Sequence, residues 1–195
     1  MRIAEVVKVT GDTRPDDCSD EKIREDLLII SERIEALFGP SVDEYQIDWV
    51  DFCKDDNPCL AYPPCADHKS VRIQLVGPAL ENTNFARFQL AHELVHCLSP
   101  SGGSNATIIE EGAATWFQVY HNRRYVHENI VVNDPSYVSA LNKYNQLLAH
   151  CDNPFGKLRA VEPRAYLFNA ETFLKAGVFL KKSFRAHLLK PFRGA

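Results

Sequence analysis

FARFQLAHELVH, residues 85–96, is where a pattern of burial and a pattern of chemistry coincide in this chain. Phe85, Phe88, Ala91 and Val95 recur at helical spacing, and Leu90 and Leu94 add a second apolar row, so the stretch reads as a buried or half-buried helix. Asn82 to Asn84 offer its N-terminal cap. Side chains four apart on a helix share a face, so His92 and His96 can grip one metal ion together. Glu93 stands about a third of a turn away, within reach of a water on that ion. The bland alternative is a pair of unrelated histidines with core or surface roles.

The flanks supply what such a helix needs. On the N-terminal side, Val71, Ile73 and Leu75 alternate with Arg72 and Gln74, which predicts a strand over 70–76 closed by Gly77-Pro78. If its edge is free beside the cleft, an extended peptide can pair with it, which favours a polypeptide substrate. On the C-terminal side, Ser99-Pro100-Ser101-Gly102-Gly103-Ser104 breaks the helix and reverses the chain. A new helix is expected over about 107–122, with Glu110 and Glu111 near the positive end of its dipole.

Catalytic zinc takes three protein ligands and one water, so two imidazoles leave one protein position to fill. Glu111 is favoured over Glu110, because Gly112-Ala113-Ala114 would let this helix approach the histidine helix closely; both glutamates stay open at this point. With Zn2+ polarising a water and a substrate carbonyl, Glu93 would take the water proton and pass it to the leaving amine. Tyr120, His121, Tyr125, His127, Tyr137 and His150 are available as donors to the oxyanion, and spacing does not choose among them.

The N-terminal region reads as a strand over 2–9, a helix over 20–38 capped by Ser19 or Asp20 and ended by Gly39-Pro40, and a strand over 44–52. Residues 53–69, with three prolines and three cysteines, read as an irregular loop. Asp134-Pro135 predicts another helix start. Pro154-Phe155-Gly156 reads as a turn, Pro163 to about Ala176 as a helix, 178–190 as a last basic helix, and the tail from Pro191 as loose. The fold class expected is α+β, a short N-terminal β-sheet and an active-site helix followed by a mostly helical half. The division is 1–152 for the catalytic domain and 153–195 for a helical basic extension that can equally belong to it.

The 195 residues suffice for one domain with a real core, and the net charge of −4 carries no nucleic-acid or membrane signature. Residues 1–60 carry 16 Asp/Glu against 7 Lys/Arg, whereas residues 157–195 carry 2 against 9. Two mutually attracting faces explain this polarity; a basic C-terminal surface for an acidic partner is the sharper alternative. The opening MRIAEVVKVTGD lacks the apolar core of an export signal, and no apolar run is long enough to span a membrane, so a cytoplasmic home is expected. The six cysteines then read as reduced thiols; Cys53, Cys59 and Cys65 with His68 are a remote candidate for a second metal site, since the spacing is not C-x-x-C.

His92-Glu93-x-x-His96, followed after 14 residues by Glu111-Gly112-x-Ala114, resembles the gluzincin zinc metallopeptidases, in whose aminopeptidase branch the glutamate before glycine is a zinc ligand. Val71-Arg72-Ile73-Gln74 with Arg87-Phe88-Gln89-Leu90-Ala91-His92-Glu93-Leu94 also resembles the ImmA/IrrE-type proteases, compact cytosolic enzymes that often cleave a transcriptional repressor. Val95 stands where those carry glycine. The resemblance implies a zincin-like catalytic domain of minimal form, Zn2+ held by His92, His96 and Glu111, Glu93 as general base, and a polypeptide substrate, with a regulatory protein as one candidate. No membrane or nucleic-acid partner is expected, and nothing bears on oligomeric state. The alternative function is a non-catalytic module of the same fold that holds a protein or nucleic acid.

Overall fold

The computed structural model describes residues 1–195 except 12–13, 17, 43–44, 55–57, 65–67, 103–105 and 193–195. Four strands, β1 (Arg2–Thr10), β2 (Tyr45–Phe52), β3 (Cys59–Ala61) and β4 (Lys69–Leu75), form one sheet in the order β1-β2-β4-β3. β1, β2 and β4 run parallel, with Ile47 opposite Val71, Val50 opposite Ile73 and Phe52 opposite Leu75. Helix α1 (Asp20–Phe38) makes the crossover that a parallel β1–β2 pair requires. It starts on Ser19, whose side chain accepts from the Lys22 amide, and ends at Gly39 with φ 86°. Ile23, Leu27, Ile30, Ile34 and Phe38 form its buried stripe, Phe38 taking the place that spacing gave to Leu37.

β3 corrects two expectations. Residues 53–69 contain a strand, and β4 is an inner strand, because β3 pairs antiparallel along the side expected to be free, Leu60 opposite Ile73. The free edge next to the histidine helix therefore belongs to β3. A three-residue strand carries too little alternation to be read from sequence; its neighbour's hydrogen bonds define it.

The C-terminal half is helical: α2 (Thr83–His96), α3 (Ile108–His121), α4 (Pro135–Leu148), α5 (Pro154–Val161), α6 (Ala170–Lys175) and α7 (Lys182–Leu188). The expected turn at 154–156 is the first turn of α5. Asn153, in the left-handed region at φ 47°, caps it by accepting from the Gly156 amide, and Pro154 takes the first helical position. The helix expected over 163–176 is a 3₁₀ turn (Ala165–Leu167) and then α6, because Asn169 and Thr172 close a capping box between them. The helix expected over 178–190 begins only at Lys182, since Gly177, at φ 69°, closes α6 with its amide on the Leu174 carbonyl and the Val178 amide on that of Phe173. The tail is docked through Phe192: Lys190 O accepts from the Ile108 amide, and Phe192 N donates to Ala106 O.

One hydrophobic cluster runs from Ala4 to Leu188, through sheet and helices alike. Buried Arg159 ties α5 to the rest by donating to the carbonyls of Phe38, Gly39, Pro40 and Leu98. Gly112 faces α4 rather than α2, which corrects the role expected of it: a Cβ there would lie 2.7 Å from Ala140 O and 2.9 Å from Tyr144 Cβ. No described helix is long and apolar enough to cross a membrane. The five described cysteines are free thiols. Cys53, Cys59 and His68 do not form a ligand cluster: Cys59 Sγ donates to Gln74 and His68 Nε2 lies 2.7 Å from Asp48, while Cys65 lies outside the described residues.

Candidate metal centre

Helix α2 is fixed at both ends before its histidines are placed. Asn82 Oδ1 accepts from the Asn84 and Phe85 amides, capping the first turn. One turn before His92's own turn, the Gln89 amide is stitched to the end of β4, accepting from Val76 N and donating to Val76 O, both at 2.9 Å. Leu90, Ala91 and Leu94 are fully buried, so the neighbouring face that carries His92 and His96 has a fixed direction. Helix α3 lies against it, its first turn held by the 190–192 tail described above.

The rings meet where spacing placed them. His92 Nε2 and His96 Nε2 are 3.3 Å apart. Glu111 reaches both, Oε2 lying 3.2 Å from His92 Nε2 and Oε1 3.6 Å from His96 Nε2. One donor atom from each of His92, His96 and Glu111 falls within 4.8 Å of the others, and this buried group could hold a metal ion. Glu110 lies on the other nitrogen: its Oε1 is 3.0 Å from His96 Nδ1. A hydrogen on Nδ1 bonded to Glu110 leaves the Nε2 lone pair facing His92 and Glu111, the tautomer a ligand needs. The two adjacent glutamates thus face different nitrogens, Glu111 the Nε2 atoms of His92 and His96 and Glu110 the Nδ1 of His96.

The charge balance fits a cation. Glu93, Glu110 and Glu111 are 3%, 4% and 8% exposed, and three carboxylates in one buried spot beside two imidazoles are costly without a compensating positive charge. Glu111 Oε2 accepts no hydrogen bond among the described residues. Burial raises the pKa of Glu93, against the opposing pull of His92 and His96. Burial opposes a charge on His96, yet Glu111 and then Glu110 outweigh it and hold that imidazole well above its ordinary range. Burial likewise opposes ionisation of Glu111, and His96 and His92 reverse the balance and depress its pKa. A divalent cation among these carboxylates would supply the compensating positive charge.

The donors open onto a cavity of about 280 Å³, walled on one side by β3 through Cys59 and Leu60 and on the other by the head of α4. Glu93 lines the same cavity. Of the six candidate oxyanion donors, Tyr137 alone lines it; its ring stands edge-on to His92 at 5.4 Å and is backed by Phe192 at 5.0 Å. His121 is instead buried against Arg33, with Nε2 2.9 Å from the guanidinium, and burial followed by Arg33 and Arg87 lowers its pKa to about 4. Tyr120 and Tyr125 are exposed beside it. Tyr62 also lines the cavity, its pKa pushed up to about 12 by burial. It carries no signal in the sequence, because β3 alone brings it there.

Glu110→Ala is expected to weaken the affinity of this group for a divalent ion such as zinc about 10–100-fold while leaving the three candidate donors in place, as loss of the group that orients a ligating histidine does elsewhere. A competitive titration with a chromogenic chelator reads this; unchanged affinity would mean that Glu110 does not hold His96. No protein-family model, curated protein or solved structure matches the chain.

Proposed function

We propose that this chain is a zinc-dependent peptidase of zincin-like form, with His92, His96 and Glu111 as the metal ligands and Glu93 as the general base. The observation that carries the reading is the convergence of the Glu111 carboxylate on two imidazole Nε2 atoms in a cavity that also holds the buried Glu93 carboxylate. Two nitrogens and one carboxylate oxygen are one of the donor sets that catalytic zinc uses. Bound there, zinc would supply an acidified water and polarise a carbonyl.

The chain's own residues carry the remaining steps. Glu93, which lines the cavity beside the three donors, takes the proton of the attacking water and later delivers it to the leaving amine. Tyr137 is placed to donate to the oxygen that gains charge as the carbonyl carbon becomes tetrahedral. The free edge of β3 runs along the cavity, so the backbone of an extended polypeptide can pair with it, which favours a peptide over a small molecule. The expected test is hydrolysis of an unfolded protein by zinc-supplemented chain, abolished by a chelator and restored by zinc. Hydrolysis indifferent to chelation would overturn the metal's role.

A further inference from the structure

On the far side of His92 and Tyr137 from the metal cavity lies a second, apolar one of about 180 Å³. The two share Pro58, His92 and Tyr137 in their walls, so they meet at the N-terminal end of β3. Phe85 and Phe88, packed edge-to-face at 6.1 Å on the turns of α2 before His92, form one wall. Val131 and Val132 form the opposite wall.

Gln89, Gln118, Asn133 and Asp134 are the polar residues at the rim of this cavity beside His92 and Tyr137, and two of them are engaged elsewhere. Gln89 spends its amide on the Val76 backbone, and Asp134 caps α4 by accepting from the Ser136 and Tyr137 amides. The valine wall is held as well. Glu128 accepts from Asn84 of α2 through its side chain and from Asn122, just past the end of α3, through its carbonyl, and Arg123 donates to Asn129. This pins the segment leading to Val131 across the two helices. Val131 is nevertheless 62% exposed, an apolar side chain left at the mouth of an apolar hollow.

Resting on the peptidase reading, we infer that this hollow is the specificity pocket, and that the chain selects peptides carrying one bulky apolar side chain next to the bond that is cut. A chain paired with the edge of β3 passes Pro58, where the two cavities join, as its carbonyl faces Glu93. The side chain beside that carbonyl then enters the space between the phenylalanines and the valines. A cavity of about 150 Å³ admits benzene, so the volume here suits one branched or aromatic side chain. An anionic one would be stripped of water beside Asp134, and no Lys or Arg among the described residues lines the cavity to meet it.

The test is binding by calorimetry of peptidyl hydroxamates, which chelate zinc, to the zinc-loaded Glu93→Gln protein, so that no turnover is needed. The compounds differ in one side chain next to the hydroxamate: glycyl, leucyl, phenylalanyl and aspartyl. Leucyl and phenylalanyl compounds should bind at least about tenfold tighter than the glycyl one, from the apolar area removed from water. The aspartyl compound should bind no tighter than the glycyl one. The leucyl-to-glycyl ratio should fall in Val131→Asp, whose exposed position spares the fold. Equal affinity across the series overturns the pocket and leaves the metal centre standing. Failure of every hydroxamate to bind more tightly with zinc than without it overturns the metal centre and the pocket with it.

Discussion

Glu93→Gln is expected to retain zinc at the wild-type level and to lower kcat by a factor of about 10²–10⁴. The substitution keeps shape and volume and removes only the ability to carry a proton. Glu93 is 3% exposed, so bulk water cannot easily take over its place in the cavity. Zinc content and affinity should change little, because Glu93 is not among the three converging donors. Steady-state hydrolysis of a fluorogenic peptide together with metal analysis of the same sample separates the two effects. A variant that cleaves as fast as wild type would remove Glu93 from the chemistry. A variant that loses its zinc would place Glu93 among the ligands instead.

His92→Ala and His96→Ala are expected to abolish stoichiometric zinc binding, a loss well beyond the roughly 10–100-fold expected for Glu110→Ala. Each deletes one of the two nitrogens that converge with Glu111, leaving two donors where catalytic zinc takes three. Thermal unfolding gives the cleanest contrast. Ligand that binds only the folded chain stabilises it by about 2.7 kcal/mol at one hundred times Kd. Zinc should therefore raise the Tm of wild type and of Glu93→Gln, and leave those of the two histidine variants unmoved. An equal rise in all four proteins would place the metal elsewhere.

Much of the centre was legible in the sequence because its two strongest signals are local. Helical periodicity over 85–96 and a four-residue spacing fix where two imidazoles point, whatever packs around them. The choice between Glu110 and Glu111 was less legible, since both occupy the first turn of α3 and differ only in rotation about it. The structure separates them by which nitrogen of His96 each one faces. In the sequence Gly112 looks like a spacer toward α2, and in the fold it is the contact with α4, because a small residue reports that something is close but not which neighbour it is.

What could not be read depends on distant pairing. β3 exists because β4 offers it an edge, and Tyr62 reaches the cavity only through it. The tail from Pro191 looks loose until Ala106 accepts from the Phe192 amide beside the Ile108–Lys190 hydrogen bond, and Phe192 then backs Tyr137. Pro154-Phe155-Gly156 can open a helix or make a turn with equal local ease, and the Asn153 cap with the Arg159 anchor decides it.

The central claim is most directly tested by anomalous scattering at the zinc edge from crystals of the full chain grown with zinc. The expected result is a single strong peak per chain between the paired rings. It should lie about 2.0–2.1 Å from His92 Nε2 and His96 Nε2 and about 2.0–2.2 Å from a Glu111 carboxylate oxygen, with a further position open toward Glu93. A peak at another place, or none between those rings with Glu111 turned away from both, would contradict it.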